Sequence, residues 1–290
     1  MIVVMSKKGL FFIWLNVMDE PFKAGEVRFW SVKTFPKFLF RGLPRLIMIF
    51  VFYIIIAFFA LFFRKDRQNY VNQTLKWSTR MKMYFFGYKR INISNEDIEK
   101  IKNSKEQIII ANHSSYMDIL LMSYLFPDAK FIASNYISKI PIIKKFGETK
   151  CIYLKDEFGG KLTDVIEDEL QKGTKIIFFS EGVCCRSDIL LKLRNGAFVP
   201  HRDILPVHID YGENYWVMGE QDMLLHAFTQ ISNFKNNVKV KIGIPYKITH
   251  NDKKNIEGFK ENFRKHYANI FNVKLSEKNY KDHPFYKLKL

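Results

Sequence analysis

Residues 106–275 read as an α/β domain with a largely parallel or mixed sheet flanked by helices. An N-terminal helical segment suited to anchoring on a membrane precedes it. Three observations predict this. From Glu106 onward, short apolar runs of strand length alternate with helical stretches, the pattern of βαβ units. Two of those runs break off into polar residues able to do chemistry. Upstream stands a chargeless run of eighteen residues, LIMIFVFYIIIAFFALFF at 46–63, bracketed by Arg45 and by Arg64-Lys65.

The apolar run comes first in the chain. As a helix it measures about 27 Å, enough for a thin bilayer. It lies too far from the N-terminus for a signal peptide, and no small-residue cleavage site follows it. A buried core helix is the competing reading, and the basic flanks count against it. Because both flanks are basic, the positive-inside rule leaves orientation open. A segment that dips in and returns, or lies in the interface, fits as well. Residues 10–18 (LFFIWLNVM) are too short to span and read as a shallow contact. The divisions that follow are 1–40, an N-terminal segment; 41–105, the anchor and connecting helices; 106–275, the α/β domain; and 276–290, a C-terminal tail.

Within the α/β domain, strands are expected at 107–111, 130–133, 151–154, 175–179, 204–209 and 238–244. Helices are expected at 116–126, at 161–172 (ended by Gly173) and at 256–271. Residues 135–146 read as helix or loop around Pro141.

The formal net charge of +17 draws the chain to anionic lipid or phosphorylated small molecules. Nucleic acid is not expected as a partner, because the basic residues are scattered and no zinc-finger spacing or Arg-rich recognition helix accompanies them. Cys151, Cys184 and Cys185 have neither disulfide-framework nor metal-site spacing. They fit a reducing compartment, with the domain facing the cytosol, and Cys184 and Cys185 read as buried packing groups. No metal or cofactor cluster is present in the sequence, so none is expected.

In parallel sheets, functional groups gather beyond the C-terminal ends of strands. The run IIIANHSSYMD ends at Asn112 and is followed by His113 and Asp118. On one straight helix these two would sit roughly 140° apart. They meet only if His113 lies in a loop and the chain turns into a helix before Asp118. A carboxylate so placed fixes the imidazole's tautomer and makes it a general base. Ser115-Tyr-Met-Asp118 also matches a capping box, in which Asp118 would only finish a helix start; spacing alone does not decide between the two. The second strand end, KIIFFSEG, runs into Ser180, Glu181 and Gly182. Ser114 has no G-x-S-x-G context, which argues against a serine hydrolase.

NHSSYMD resembles the N-H-x-x-x-x-D motif of the glycerophospholipid acyltransferase superfamily. Further blocks resemble the same family in order: KFIASNYISKIPIIKKFG, KCIYLKD, FFSEGVC with LKLRNGAFVP, and ILPVHI. The likeness covers about residues 75–250. It implies an O-acyltransferase that moves a fatty acyl chain from acyl-CoA, a co-substrate, to a lysophospholipid or glycerol-3-phosphate. In that reading His113 is the base and Asp118 orients it. Lys155, Glu181 and Gly182 shape the acceptor pocket, Arg186 adds a phosphate contact and Pro206 shapes the acyl-CoA side. The membrane would be the endoplasmic reticulum or a bacterial inner membrane. Ser180 stands for the family's usual proline, Val183 for threonine and Lys155 for the commoner arginine. Lysine keeps the charge but loses the bidentate fork. These departures leave room for two alternatives: a non-catalytic membrane-binding member of the fold, or a transacylase independent of CoA.

Overall fold

The computed structural model describes residues 34–62, 77–134, 150–154, 161–217 and 223–283, together with a short antiparallel pair, Ile2–Val3 with Phe12–Ile13. Most of the 10–18 segment, all of 135–146 and Lys155 lie outside the described residues.

Helix α1 (Thr34–Lys37) passes through a π-helical turn at Phe38–Gly42 into α2 (Leu43–Phe62). The apolar run is therefore helical. Among the described residues, however, no helix is long and apolar enough to cross a membrane, so the spanning form of the anchor is not supported. The start of this helix is committed to the domain. Phe38 packs edge-on against Phe228 at 5.2 Å. The Arg45 guanidinium donates to the carbonyls of Ile231 and Asn233, both at 2.6 Å, and to that of Phe234 at 3.4 Å.

A further helix at 77–85 leads to α3 (Asn95–Asn103), which Ser94 caps by accepting from the Asp97 amide. The sheet strands are β1 (Ile108–Ala111), β2 (Lys130–Ser134), β3 (Cys151–Leu154), β4 (Ile176–Phe178), β6 (Ile204–Asp210) and β7 (Lys239–Ile242). A separate parallel pair joins β5 (Ile189–Leu190) to β8 (Lys274–Leu275). The sheet order is β3-β2-β4-β1-β6-β7. All neighbours run parallel except β6 and β7. The sheet is thus mixed, with β1 near its middle, between β4 and β6.

Period-two alternation divides the β1 side chains between two cores. Ile109 and Ala111 join Met117, Leu121 and Met122 of the segment entering and forming α4 (Asp118–Leu125). Ile108 and Ile110 face the other way. There they meet Ile166 and Leu170 of α5 (Lys161–Gln171), and Phe259, Phe263, Tyr267 and Phe271 of α8 (Ile256–Phe271). The four aromatics recur at every fourth position, so they form one stripe on α8. Burial of each contributes about 2 kcal/mol. The strands and helices expected from 107 to 271 all form within a few residues of the predicted bounds, apart from 135–146. The helix at 77–85 and α3 fall within the expected connecting helices of 41–105, whereas α6 (Met223–Ser232) and α7 (His250–Lys254) were not anticipated.

Pro206 sits inside β6, opposite Ile110 of β1. Its carbonyl accepts from Gly243 at 2.9 Å, so its missing N–H points to the β7 side. The β1 ladder is unharmed, and the β6–β7 register stops at Val207↔Ile242. This is how an interior strand tolerates proline. Pro206, expected on the acyl-CoA side, is buried in the sheet.

Candidate active site

The site grows from the end of β1. At Asn112 the main chain leaves the ladder and the side chain takes it over. The Asn112 amide donates to Ile209 O at 2.9 Å, and its carbonyl accepts from Ile209 N at 2.7 Å. The loop beyond is thereby pinned to β6. His113 Nδ1 then lies 2.8 Å from Asp118 Oδ2. The same oxygen accepts from the Ser114 amide at 2.7 Å and the Ser115 amide at 2.9 Å. Both readings of the motif are therefore realised in one atom: Asp118 finishes the helix start by reaching back to two free amides, and it holds the imidazole. The other half of a capping box is missing: the Ser115 hydroxyl accepts from the Met117 amide at 3.2 Å, and the Asp118 amide donates to the Ser115 carbonyl at 3.0 Å instead.

The carboxylate oxygen already accepts two amide protons. It acts as an acceptor for the ring as well, so Nδ1 carries a hydrogen, and in the neutral imidazole Nε2 is the nitrogen that keeps its lone pair. The Asp118 side chain is wholly buried, whereas His113 retains 19% of its surface. The base is therefore reachable and its partner is not. Phe179 stacks on the imidazole with centroids 4.5 Å apart. Burial works against the imidazolium, but the neighbouring Cys184 thiol and the Asp118 carboxylate outweigh it, and the His113 pKa lies well above the ordinary range. Burial pushes the Cys184 thiol up, against the pull of His113.

Glu181 arrives from the end of β4, fully buried. Its Oε2 accepts from the His113 amide at 2.8 Å, and its Oε1 accepts from Leu191 N and the Cys185 thiol, each at 3.1 Å. Burial pushes its pKa up, against the pull of those donors. Glu181, expected to shape the acceptor pocket, has both oxygens engaged by the protein and holds the backbone of His113. Gly182 lets the chain turn there. Its φ is +75°, and a Cβ would lie 2.8 Å from Arg194 Cδ. Cys184 and Cys185, expected only as packing groups, are buried but also touch His113 and Glu181 respectively.

Arg186 is also redirected. It makes a bidentate pair with Asp188 at 2.9 and 2.7 Å. It lines a cavity of about 650 Å3 together with His208, Asp210, Lys239 and Lys241. His113, Asp118, Glu181 and Gly182 are thus brought together, whereas Arg186 and Pro206 stand apart from the pair. Phe179, Asn112 and Tyr211, which complete the surroundings of the pair, were not singled out from sequence. Phe179 lies within the FFSEG block and Asn112 opens the NH motif, so both were in view; nothing local marks Tyr211. Among the described residues no group of His, Cys, Asp and Glu is arranged to hold a metal ion.

An α/β domain with an accessible His–Asp pair at the C-terminal ends of its central strands has the arrangement that general-base chemistry requires. The family model described as Acyltransferase matches residues 90–210, the stretch that carries the NHSSYMD and FFSEGVC blocks. The chain is 23% identical over 186 residues to a lysophosphatidylcholine acyltransferase of Drosophila melanogaster, covering 60% of this chain and 35% of that protein. It is 26% identical over 195 residues to the lysophospholipid acyltransferase LPEAT1 of Arabidopsis thaliana, covering 61% and 48%. The chain therefore spans less than half the length of these curated relatives. The fold is similar to the crystal structure of the 1-acyl-sn-glycerophosphate (LPA) acyltransferase PlsC from Thermotoga maritima. The TM-score is 0.57 at 18% identity, covering 83% of this chain and 96% of that one.

Proposed function

We propose that this protein is a membrane-associated O-acyltransferase that transfers a fatty acyl chain from acyl-CoA to the hydroxyl of a lysophospholipid or glycerol-3-phosphate. The observation that carries this reading is the 2.8 Å contact between His113 Nδ1 and a buried Asp118, with the imidazole still open to solvent. A thioester is already activated, so the demanding step is to make an alcohol nucleophilic. His113 Nε2 takes the hydroxyl proton as the oxygen attacks the thioester carbonyl. The tetrahedral intermediate collapses, the C–S bond breaks, and the departing thiolate takes the proton from the imidazolium. Asp118 stabilises the imidazolium between these events. No cofactor is needed.

Membrane association is supported by apolar side chains presented to solvent. Phe40 is 82% exposed, Phe50 68%, Leu224 61% and Phe234 64%. Arg41 and Lys89 lie over the Phe234 ring at 5.6 and 4.0 Å, a basic-aromatic mixture suited to an anionic interface. Three free cysteines agree with a site that faces the cytosol.

The test is release of free thiol from acyl-CoA with a panel of lysophospholipids and glycerol-3-phosphate, for wild type and His113→Ala. The expected loss in kcat is about 100-fold or more. Equal turnover by both proteins refutes the assignment of the base. Product formed by wild type without any acyl-CoA would favour the transacylase alternative.

A further inference from the structure

We propose that Tyr211 is a positioning residue of the His113–Asp118 pair, its hydroxyl serving as the donor for the second carboxylate oxygen of Asp118. This inference rests on the acyl-transfer reading. Oδ2 of Asp118 is saturated by His113 and by the amides of Ser114 and Ser115. Oδ1 is buried and has no hydrogen-bond partner among the described residues, and the same is true of the Tyr211 hydroxyl. An unmatched acceptor and an unmatched donor buried side by side call for an explanation. Burial, with the charge of Asp118 adding to it, pushes the Tyr211 pKa well above its ordinary value and keeps the hydroxyl protonated. It therefore has a proton to donate.

The location supports the role. Tyr211 follows the last residue of β6, and its ring is held edge-on by Tyr88 at 5.7 Å. The two strands that flank β1 thus each deliver one support. From β4, Glu181 fixes the backbone of His113; from β6, Tyr211 faces the carboxylate that fixes its ring. The other groups facing the imidazole are Asp118 from α4, and Phe179 and Cys184 from the segment after β4.

The experiment uses the full chain in mixed detergent–phospholipid micelles and measures thiol release against pH. Tyr211→Phe, Asp118→Asn, the double variant and His113→Ala are compared with wild type. Tyr211→Phe keeps the ring against Tyr88, so folding should be retained. Its kcat should fall about fivefold with KM nearly unchanged. Its acid limb should move to higher pH, because a carboxylate with one donor fewer stabilises the imidazolium more strongly. In the Asp118→Asn background the same change should add nothing further. An unmoved pH profile, or equal losses in both backgrounds, overturns the proposal while leaving the acyl-transfer reading intact. If wild type releases no thiol with any acceptor, that reading fails. The role of Tyr211 is then decided by NMR titration of His113: an imidazole pKa unchanged by Tyr211→Phe overturns it, and a raised one supports it.

Discussion

The amide of His113 donates to the carboxylate of Glu181 across 2.8 Å, although the two residues are 68 positions apart in the chain. The bond ties the ends of β1 and β4 together behind the reactive ring. Glu181→Gln would set an amide NH2 against at least one of the three donors that now meet two oxygens. The expected cost is about 1–3 kcal/mol of stability, read from urea unfolding. A fall in kcat should accompany it, because the backbone that carries His113 would shift.

The raised pKa of His113 has a direct kinetic consequence. A base must be neutral to accept a proton, so activity rises as the imidazolium loses its proton. The acid limb of kcat/KM should lie above the usual imidazole value of about 6.5. In Asp118→Asn the limb should move down toward that value as kcat drops. A pH–rate profile of both proteins checks this.

Gly182→Ala should destabilise by roughly 1–2 kcal/mol from the left-handed backbone alone. The new methyl would also press on Arg194, whose guanidinium covers the Tyr280 ring at 4.7 Å. Residues near 280 should then exchange amide hydrogens faster than in wild type.

Acid should weaken the fold through two buried histidines. Burial lowers both His208 and His226 to about 4, against about 6.5 in the unfolded chain. A depressed folded-state pKa means that the unfolded chain binds more protons between these values. The stability is complete above 6.5 and is lost as pH falls toward 4, by up to about 3 kcal/mol for each residue. His113, with its raised value, has the opposite sign: its contribution is full below 6.5 and is lost as pH climbs through the folded pKa. Urea midpoints measured against pH should show the acid-side slope, and His226→Gln should flatten it.

Most of the sheet was legible in the sequence because its strands are short apolar runs with clear ends; 151–154 and the helix at 256–271 fall where they were read. The His113–Asp118 contact was legible too, since a loop followed by a helix start is the only local path that joins them. Glu181 was not. An acid at a strand end looks exposed until donors from 113, 185 and 191 converge on it, and those lie in distant parts of the chain. Tyr211 escaped for the same reason, its partner being almost a hundred positions earlier. Helix α3, expected only as one of the connecting helices of 41–105, had bounds that could be read: Ser94 opens it, acids fill its first turn and lysines its last.

The grip of Arg45 on three carbonyls at the end of α6 bears on where this enzyme can be trimmed. A recombinant fragment starting at residue 90, where the family match begins, would remove a cation from the negative pole of that helix. It would also uncover Phe228, which now rests on Phe38. The autonomous folding unit therefore reaches back at least to Thr34. Fragments cut shorter should be recovered as aggregates, however completely they retain residues 90–210.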